Sequence, residues 1–130
     1  MILGVGTDLI LIERIEKLIL QFKEKFLEKI FTPNELSKAE KFLSPAAFYA
    51  KRFAAKEAFS KAVGLGIGRG IDFKDIEISN DDSGKPQIKI LNGKENFLAQ
   101  HFGCKNFAIH LSLTDEKLMA SAFVVIEKIS

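Results

Sequence analysis

The residues with the clearest chemical meaning lie in the segment from Phe53 to Ala62, where Glu57 precedes Lys61 by four residues. Glu57 shares a helix face with mostly apolar neighbours, and a carboxylate there is costly to bury unless a cation meets it. Lys61 lies one helical turn further on, and the order Glu then Lys is favourable on a helix. The spacing alone therefore leaves an ordinary helical ion pair open as one interpretation.

Asp8 supplies a second acid, at the end of an apolar strand and two residues after Gly6. Alone, such an acid often serves as a helix N-cap. Two carboxylates on rigid elements, completed by water and substrate phosphates, are what Mg²⁺ typically uses. Because Lys56 and Lys61 flank Glu57, this acid pair favours phosphoryl chemistry over hydrolysis by paired carboxylates.

Arginine is scarce, since only Arg14, Arg52 and Arg69 occur among nineteen basic residues. A chain so rich in lysine keeps arginine where a planar, bidentate donor matters, as at phosphates and carboxylates. For any single arginine, retention by chance explains its presence about as well as a bidentate contact does.

Glycines alternate at Gly64, Gly66 and Gly68. The run follows a predicted helix and precedes a strand, so it lacks the strand–turn–helix context of a dinucleotide fingerprint. A helix C-cap followed by a flexible loop is the simpler interpretation. The functional alternative is close approach of the loop backbone to a phosphate.

Hydrophobic periodicity and turn residues predict helices first and hairpins afterwards, which is an α+β fold. The predicted elements are a short buried strand over 1–8, helices over 12–28, 33–43 and 45–63, strands over 76–79 and 87–91, a helix capped by Asn92 that ends near Phe102, and a hairpin formed by 107–113 and 118–126.

Length and composition limit the class of protein. A chain of 130 residues with 47% hydrophobic and 28% charged residues is the size of a single domain, 1–130, with a real core. A net charge of +2 excludes binding to nucleic acid through bulk positive charge, and the twelve phenylalanines are most simply core. A single cysteine, Cys104, and the lack of a basic region before the apolar start predict a cytoplasmic protein without a signal peptide or membrane span.

Three motifs together resemble the holo-acyl-carrier-protein synthases, the small bacterial-type 4′-phosphopantetheinyl transferases. The motifs are Ile2-Leu3-Gly4-Val5-Gly6-Thr7-Asp8, the helical segment 52–62 and His110-Leu111-Ser112-Leu113-Thr114-Asp115, supported by Ile30-Phe31-Thr32 with Glu35, Gly64-Leu65-Gly66 and Gly84-Lys85-Pro86. The resemblance covers essentially the whole chain in the family's order, and it implies a 4′-phosphopantetheinyl transferase-like α+β fold.

The resemblance implies transfer of the 4′-phosphopantetheine arm of coenzyme A to a serine of apo-acyl carrier protein, in support of fatty acid biosynthesis. By similarity, Asp8 and Glu57 ligate Mg²⁺ against the coenzyme A diphosphate. Lys61 is the third catalytic residue, which either stabilises phosphate charge or assists deprotonation of the serine. The residues implied for coenzyme A binding are Arg52, Lys56, Gly64, Gly66, Lys85, Pro86 and Thr114.

The first helix gains a role from the resemblance, because in the family it docks the acidic carrier protein. The implied contacts are Arg14, Lys17, Phe22 and Phe26. Since acidic residues nearly balance the cations of this helix, docking must depend on which face the cations occupy. The family is typically trimeric, with sites between subunits. Many relatives carry histidine where this chain has Asp115, so any role of that histidine does not transfer.

Two other classes of protein remain open at this stage. A metal-dependent phosphodiesterase or nuclease would use the same acids and cleave nucleotides without a carrier protein. A non-catalytic coenzyme A-binding module would need neither Glu57 nor a metal.

Overall fold

The computed structural model describes residues 1–129, which form five α-helices, one short 3-10 helix (Phe73–Asp75) and five strands. The strands are β1 (Ile2–Leu11), β2 (Ile76–Asn80), β3 (Pro86–Ile90), β4 (Phe107–Asp115) and β5 (Met119–Lys128). The helices are α1 (Ile12–Phe22), α2 (Glu24–Ile30), α3 (Pro33–Ala39), α4 (Ala46–Val63) and α5 (Lys94–Phe102).

The strands form two antiparallel sheets. One has the order β1-β5-β4, so the strand nearest the start of the chain pairs with the last one, and the other is the β2–β3 hairpin. The long helix α4 packs across one face of the three-stranded sheet, and the buried apolar side chains form one cluster around it. The predicted α+β class is confirmed. Among residues 1–129, no helix is both long and apolar enough to cross a membrane.

The first strand is longer and less buried than predicted. It runs over Ile2–Leu11, and only Gly6 and Ile10 in it are buried. The reason is the alternation of side chains in a strand, because α4 covers only one face of the sheet. The prediction of a short buried strand ending at Asp8 was wrong in both length and burial.

The predicted helix over 12–28 is in fact two helices. The chain breaks at Lys23, which adopts φ 50 and donates its backbone N–H to Ile19 at 2.8 Å. The break redirects the chain so that Ile15 of α1 and Ile30 of α2 are both buried. Lysine gives no sequence signal for a left-handed backbone. The periodicity of apolar residues therefore predicted one continuous helix across the break.

Some helix termini agree with their sequence signals and others do not. Thr32 and Glu35 form the capping box of α3, which ends earlier than predicted at Ala39, and Gly64 ends α4 with φ 88. Asn92 does not cap α5, since the N-cap is Gly93 and the Asn92 amide donates to Asp75 at 2.8 Å.

Two glycines allow the close approach of β1 to α4. A Cβ atom on Gly4 would lie 1.8 Å from the carbonyl oxygen of Ala62, and one on Gly6 would lie 1.9 Å from that of Ala58. No side chain fits at either distance, so the strand backbone contacts the helix directly. This contact brings Asp8, three residues before the end of β1, towards the middle of α4.

Candidate active site

Asp8 lies on the sheet face that α4 covers. It shares this face with Gly6 and pairs across the ladder with Ala122, which is buried. Its carboxylate is only 16% exposed. The Ser121 hydroxyl donates to the Asp8 backbone carbonyl at 3.1 Å, which fixes the strand at this position.

Lys61 reaches from the last turn of α4 to the strand. Its ammonium lies 3.1 Å from Asp8 Oδ1 and donates to the Thr7 carbonyl at 3.0 Å, while its side chain stays 54% exposed. Within residues 1–129, Glu57 forms no ion pair, so the interpretation of Glu57 and Lys61 as a helical ion pair was wrong. Lys61 therefore ties the helix to the strand, beside Glu57.

Glu57 is half-buried and close to Asp8. Burial raises the pKa of Glu57, and the negative charge of Asp8 adds to this effect, whereas Lys61 and Arg14 act to lower the same pKa. Burial disfavours the ionised form of a carboxyl group, and a second carboxylate nearby disfavours it further. Asp8, Glu57, Lys61 and Arg14 thus form one electrostatic cluster, in which the two cations do not fully offset the effects of burial and of Asp8 on the pKa of Glu57.

The chemistry of this cluster fits a hard divalent cation. Its two carboxylates come from different rigid elements, and such a cation would relieve their repulsion. Among residues 1–129, no group of three or more His, Cys, Asp or Glu side chains is placed to hold a metal. A metal at Asp8 and Glu57 would therefore take its other ligands from water and substrate oxygens, as Mg²⁺ does at phosphate substrates.

Lys56 does not join this cluster. It is fully buried, and its ammonium donates to Glu35 Oε1 at 2.7 Å and to the carbonyls of Ile30 at 2.7 Å and Phe73 at 3.0 Å. All three ammonium hydrogens are used, and burial lowers the pKa of Lys56. The prediction that Lys56 contacts coenzyme A conflicts with this placement, because no donor is left for a ligand.

Glu35 is the partner that the sequence did not reveal. Only 1% exposed, it accepts hydrogen bonds from the backbone N–H groups of Thr32 at 2.9 Å and Ile78 at 2.8 Å as well as from Lys56. Its position in the capping box predicted only the Thr32 bond. A buried charge needs such partners, and here they join α3, α4 and β2.

Arg52 also lies away from the acids. It sits five residues before Glu57, roughly 140° around the helix. Its guanidinium lies 3.8 Å above the Phe48 ring and donates to Asn80 Oδ1 at 3.1 Å. Burial lowers the pKa of Arg52.

The glycine loop leaves its backbone open. Gly64 has φ 88, and a Cβ atom on Gly64 or Gly66 would meet nothing within 4 Å. The loop begins directly after the helical turn that carries Lys61. Gly64 and Gly66 therefore lie at the end of α4 to which Lys61 belongs, with room for a ligand beside the backbone.

Three further predicted ligand residues lie elsewhere in the chain. Lys85 is exposed in the β2–β3 turn, and Pro86 is the first residue of β3, paired with Asn80. Thr114 pairs with Ser121 on the sheet face that is opposite to Asp8. One chain alone does not bring Thr114 to the acids.

The predicted carrier contacts divide into exposed and packed residues. Arg14, Lys17 and Phe22 are exposed on α1, and Lys17 pairs with Glu13 at 3.0 Å. Phe26 is half-buried and packs against the rings of Phe31 and Phe53, with centroid distances of 6.3 and 6.5 Å. Phe26 thus belongs partly to the core.

Two other features lie outside the acid cluster. Asp115 pairs with Lys51 of α4 at 3.6 Å. An open groove of about 1150 Å³ runs between β3, α5 and β4, and it includes neither Asp8 nor Glu57. The groove is therefore separate from the acid cluster.

Comparison with known proteins identifies the class. Residues 4–119 match the family model of the 4′-phosphopantetheinyl transferase superfamily, and the chain belongs to that superfamily. Within it, the chain is 47% identical to the holo-[acyl-carrier-protein] synthase of Bartonella bacilliformis over 128 residues, which are 98% of this chain and 96% of the relative. It is 46% identical to that of Cereibacter sphaeroides, over 98% of this chain and 93% of the relative.

Solved structures of the same name share the fold. The holo-[acyl-carrier-protein] synthase of Neisseria meningitidis has a TM-score of 0.88 and 40% identity, covering 98% of this chain and 100% of that one. The Bacillus anthracis protein, solved in complex with CoA (3',5'-ADP), has a TM-score of 0.82 and 41% identity, covering 99% of each chain. The predicted resemblance and the predicted fold are confirmed.

Proposed function

We propose that this protein transfers 4′-phosphopantetheine from coenzyme A to a serine of apo-acyl carrier protein. The observation that carries the proposal is the pairing of Asp8 and Glu57, with Lys61 beside them, in a chain 47% identical over nearly its full length to a holo-[acyl-carrier-protein] synthase. The same observation disfavours a non-catalytic module, because a binding site alone has no need of two acids held close together.

The reaction is a phosphoryl transfer. The serine oxygen attacks the β-phosphorus of coenzyme A, the bond from that phosphorus to the bridging oxygen breaks, and adenosine 3′,5′-bisphosphate leaves. The serine proton passes to a base. Asp8 and Glu57 would hold Mg²⁺, which when bound neutralises phosphate charge and orients the diphosphate.

Lys61 is suited to bind phosphate in this reaction. Its ammonium already donates to a carboxylate and a carbonyl at 3.0–3.1 Å, so its hydrogens point towards the site of negative charge. We propose that Lys61 stabilises the phosphate charge and does not accept the serine proton. The open backbone at Gly64 and Gly66 adds N–H groups at the same end of the helix.

We propose that a neighbouring subunit of a homotrimer completes the coenzyme A site. In one chain, Thr114 lies on the opposite sheet face from Asp8, and Lys85 and Pro86 lie in the hairpin attached to the far side of α4. The sheet face that carries Thr114 also exposes apolar side chains, including Leu9 at 65% and Phe123 at 46%. Burying such a surface favours association.

We propose that α1 docks the carrier protein, with Arg14 as its main contact and Lys17 and Phe22 beside it. Arg14 is exposed, and it is close enough to Glu57 to influence that carboxyl group. An acidic group next to the target serine would therefore meet Arg14 near the reacting atoms. Fatty acid biosynthesis as the pathway and the cytoplasm as the location stay predictions from the sequence.

Mass spectrometry of apo-acyl carrier protein after incubation with this protein, coenzyme A and Mg²⁺ tests the proposal. The expected result is a mass gain equal to one phosphopantetheine, absent when the target serine of the carrier is replaced by alanine. Release of adenosine 3′,5′-bisphosphate without a carrier would show the phosphodiesterase instead. Binding of coenzyme A with no product at all would show a non-catalytic module.

Exchange of Arg14→Glu tests the docking surface. Exposed charges mainly steer association and are screened by salt, so the variant should raise KM for the carrier roughly tenfold and leave KM for coenzyme A within about twofold. The salt dependence of KM for the carrier should weaken as well. Steady-state kinetics with each substrate varied in turn measure the effect, and equal losses for both substrates would place the carrier elsewhere.

A further inference from the structure

The side chain of Asn80 joins the β2–β3 hairpin to helix α4. Its Oδ1 accepts a hydrogen bond from the Arg52 guanidinium at 3.1 Å, and its Nδ2 donates to the carbonyl of Gly84 at 3.0 Å. The amide thus bridges the helix that carries Glu57 and the turn that carries Lys85. Asn80 itself is exposed at the end of β2.

The turn is well ordered through bonds of its own. Asp81 Oδ1 accepts from the Ser83 hydroxyl at 2.7 Å and from the N–H groups of Ser83 and Lys85, each at 2.9 Å. These bonds, that of the Ser83 side chain first, lower the pKa of Asp81. Gly84 adopts φ 90, which suits glycine at this point. Because Asp81 already holds the turn in its conformation, the main contribution of Asn80 is to attach the turn to α4.

The helical end of the bridge is a fixed anchor. Arg52 is only 5% exposed, and its guanidinium carbon lies 3.8 Å from the centroid of the Phe48 ring. Its Nε is buried and has no hydrogen-bond partner within residues 1–129. A donor left unpaired in this way disfavours the arrangement, so packing and the bond to Asn80 hold the guanidinium in place.

We infer that Arg52 and Asn80 are positioning residues for Lys85. They hold the turn at one place on α4, so that in the proposed trimer the exposed Lys85 ammonium, which forms no ion pair within the described part of the chain, meets the phosphates of the coenzyme A bound at a neighbouring subunit's acid pair. This inference rests on the proposed function and on the proposed contact of Lys85 with coenzyme A. It replaces the predicted direct contact of Arg52 with the ligand by an indirect role.

Exchange of Asn80→Ala is the first test, because this exposed position can change without disturbing the core. The expected result is a rise of roughly three- to tenfold in KM and Kd for coenzyme A, from the loss of modest hydrogen bonds. The turnover number and KM for the carrier should stay as in the wild type, whereas Tm should fall by a few degrees because the buried Arg52 guanidinium loses its bond to Asn80. Gln87→Ala is the matched control, since it removes only the exposed bond to Ser79 at 3.3 Å in the same hairpin and should change none of these values.

A double-mutant cycle with Lys85→Ala decides whether Asn80 acts through Lys85. Residues that act through one contact give non-additive effects, so Asn80→Ala should cause no further loss in the Lys85→Ala background. An additive loss would overturn the inference, because Asn80 would then affect binding by another route. An unchanged affinity of Asn80→Ala, or of Lys85→Ala, would overturn it too.

Titration calorimetry with coenzyme A keeps this test separate from the proposed function. If the wild type binds coenzyme A but makes no carrier adduct, the transferase proposal fails. The double-mutant cycle, measured as Kd for coenzyme A, still tests whether Asn80 positions Lys85. If the adduct forms and Asn80→Ala binds coenzyme A as tightly as the wild type, the positioning inference alone fails.

Discussion

The position of Glu57 beside Asp8 lowers the stability of the metal-free fold. Its pKa is raised above the ordinary value, first by burial and then by the charge of Asp8. In the window between the ordinary and the raised pKa, the folded protein holds a proton that the unfolded chain has lost, so stability falls as pH rises through this window. Above it, the ionised carboxylate destabilises the metal-free fold. Unfavourable electrostatics of this kind are typical of functional sites.

Exchange of Glu57→Gln should therefore abolish transfer and yet stabilise the metal-free protein. The amide keeps the shape but removes the disfavoured charge, so Tm near neutral pH should rise by a few degrees. At about pH 3, where the glutamate is almost fully protonated in both states, the difference should vanish. Differential scanning fluorimetry at both pH values, with an activity assay on the same samples, measures this.

A Tm of Glu57→Gln below that of the wild type at neutral pH would contradict this account, since the carboxylate would then stabilise the fold. Asp8→Asn offers the matched comparison. It also removes one charge of the pair, but it loses the ion pair with Lys61, so it should gain less stability than Glu57→Gln.

The sequence is more informative about the candidate site residues than about the interior ones. Asp8, Glu57 and Lys61 follow from motif and spacing, and the structure brings them together. Lys56 is indistinguishable from a solvent-facing lysine in the sequence, because its partner Glu35 lies 21 residues away on another helix. The spacing of helix residues tells which share a face, but it does not tell which charged face is buried.

At the scale of elements, the contact between β1 and α4 sets the distance between the two acids. Asp8 belongs to the strand and Glu57 to the helix, so any shift of one element changes the site. Gly6 lies two residues before Asp8 and touches the Ala58 carbonyl, one residue after Glu57. The glycines of the first motif thus serve packing, while the motif's aspartate is left for the proposed metal site.

Exchange of Gly6→Ala should push β1 away from α4. Its Cβ would lie 1.9 Å from the Ala58 oxygen, so backbone must move, at a cost of roughly 1–3 kcal/mol of unfolding free energy or more. Displacement of Asp8 by about 1 Å should also reduce turnover roughly a hundredfold. Chemical denaturation and single-turnover kinetics of the folded fraction measure the two effects.

Gly66→Ala is the control for stability, because a Cβ there meets nothing within 4 Å. It should unfold at the same denaturant concentration as the wild type. If Gly6→Ala matches the wild type in both stability and turnover, the close contact does not set the geometry of the site.

The elements themselves were predictable where local signals agree with the fold. The capping box of Thr32 and Glu35, the C-cap at Gly64 and the alternating strands appear as the sequence indicates. The break at Lys23 and the cap at Gly93 were missed. In both places the packing of distant segments decides, through the burial of Ile15 and Ile30 and through the bond between Asn92 and Asp75.

At the scale of the whole molecule, the two faces of the three-stranded sheet differ in chemistry. The covered face holds Asp8 and packs on α4. On the open face, β1 and β5 present apolar side chains, including Leu9 and Phe123, whereas β4 presents Ser112 and Thr114. If a neighbouring subunit packs on the apolar strands β1 and β5, the polar strand β4 lies at the edge of the interface. The proposed shared site needs Thr114 at this edge.

Exchange of Phe123→Lys tests the proposed homotrimer. Phe123 lies on the central strand and is 46% exposed in the single chain, so a charge there should disfavour association without entering the core. We expect light scattering coupled to size-exclusion chromatography to show a trimer for the wild type and a monomer for the variant. Transfer activity should fall at least tenfold in the variant, because each site loses the residues of its neighbour.

Leu43→Lys is the matched control, since Leu43 is fully exposed in the loop before α4. This substitution should change neither the oligomeric state nor the activity. A wild type that is monomeric and fully active would contradict the shared site, as would a monomeric Phe123→Lys variant with unchanged turnover.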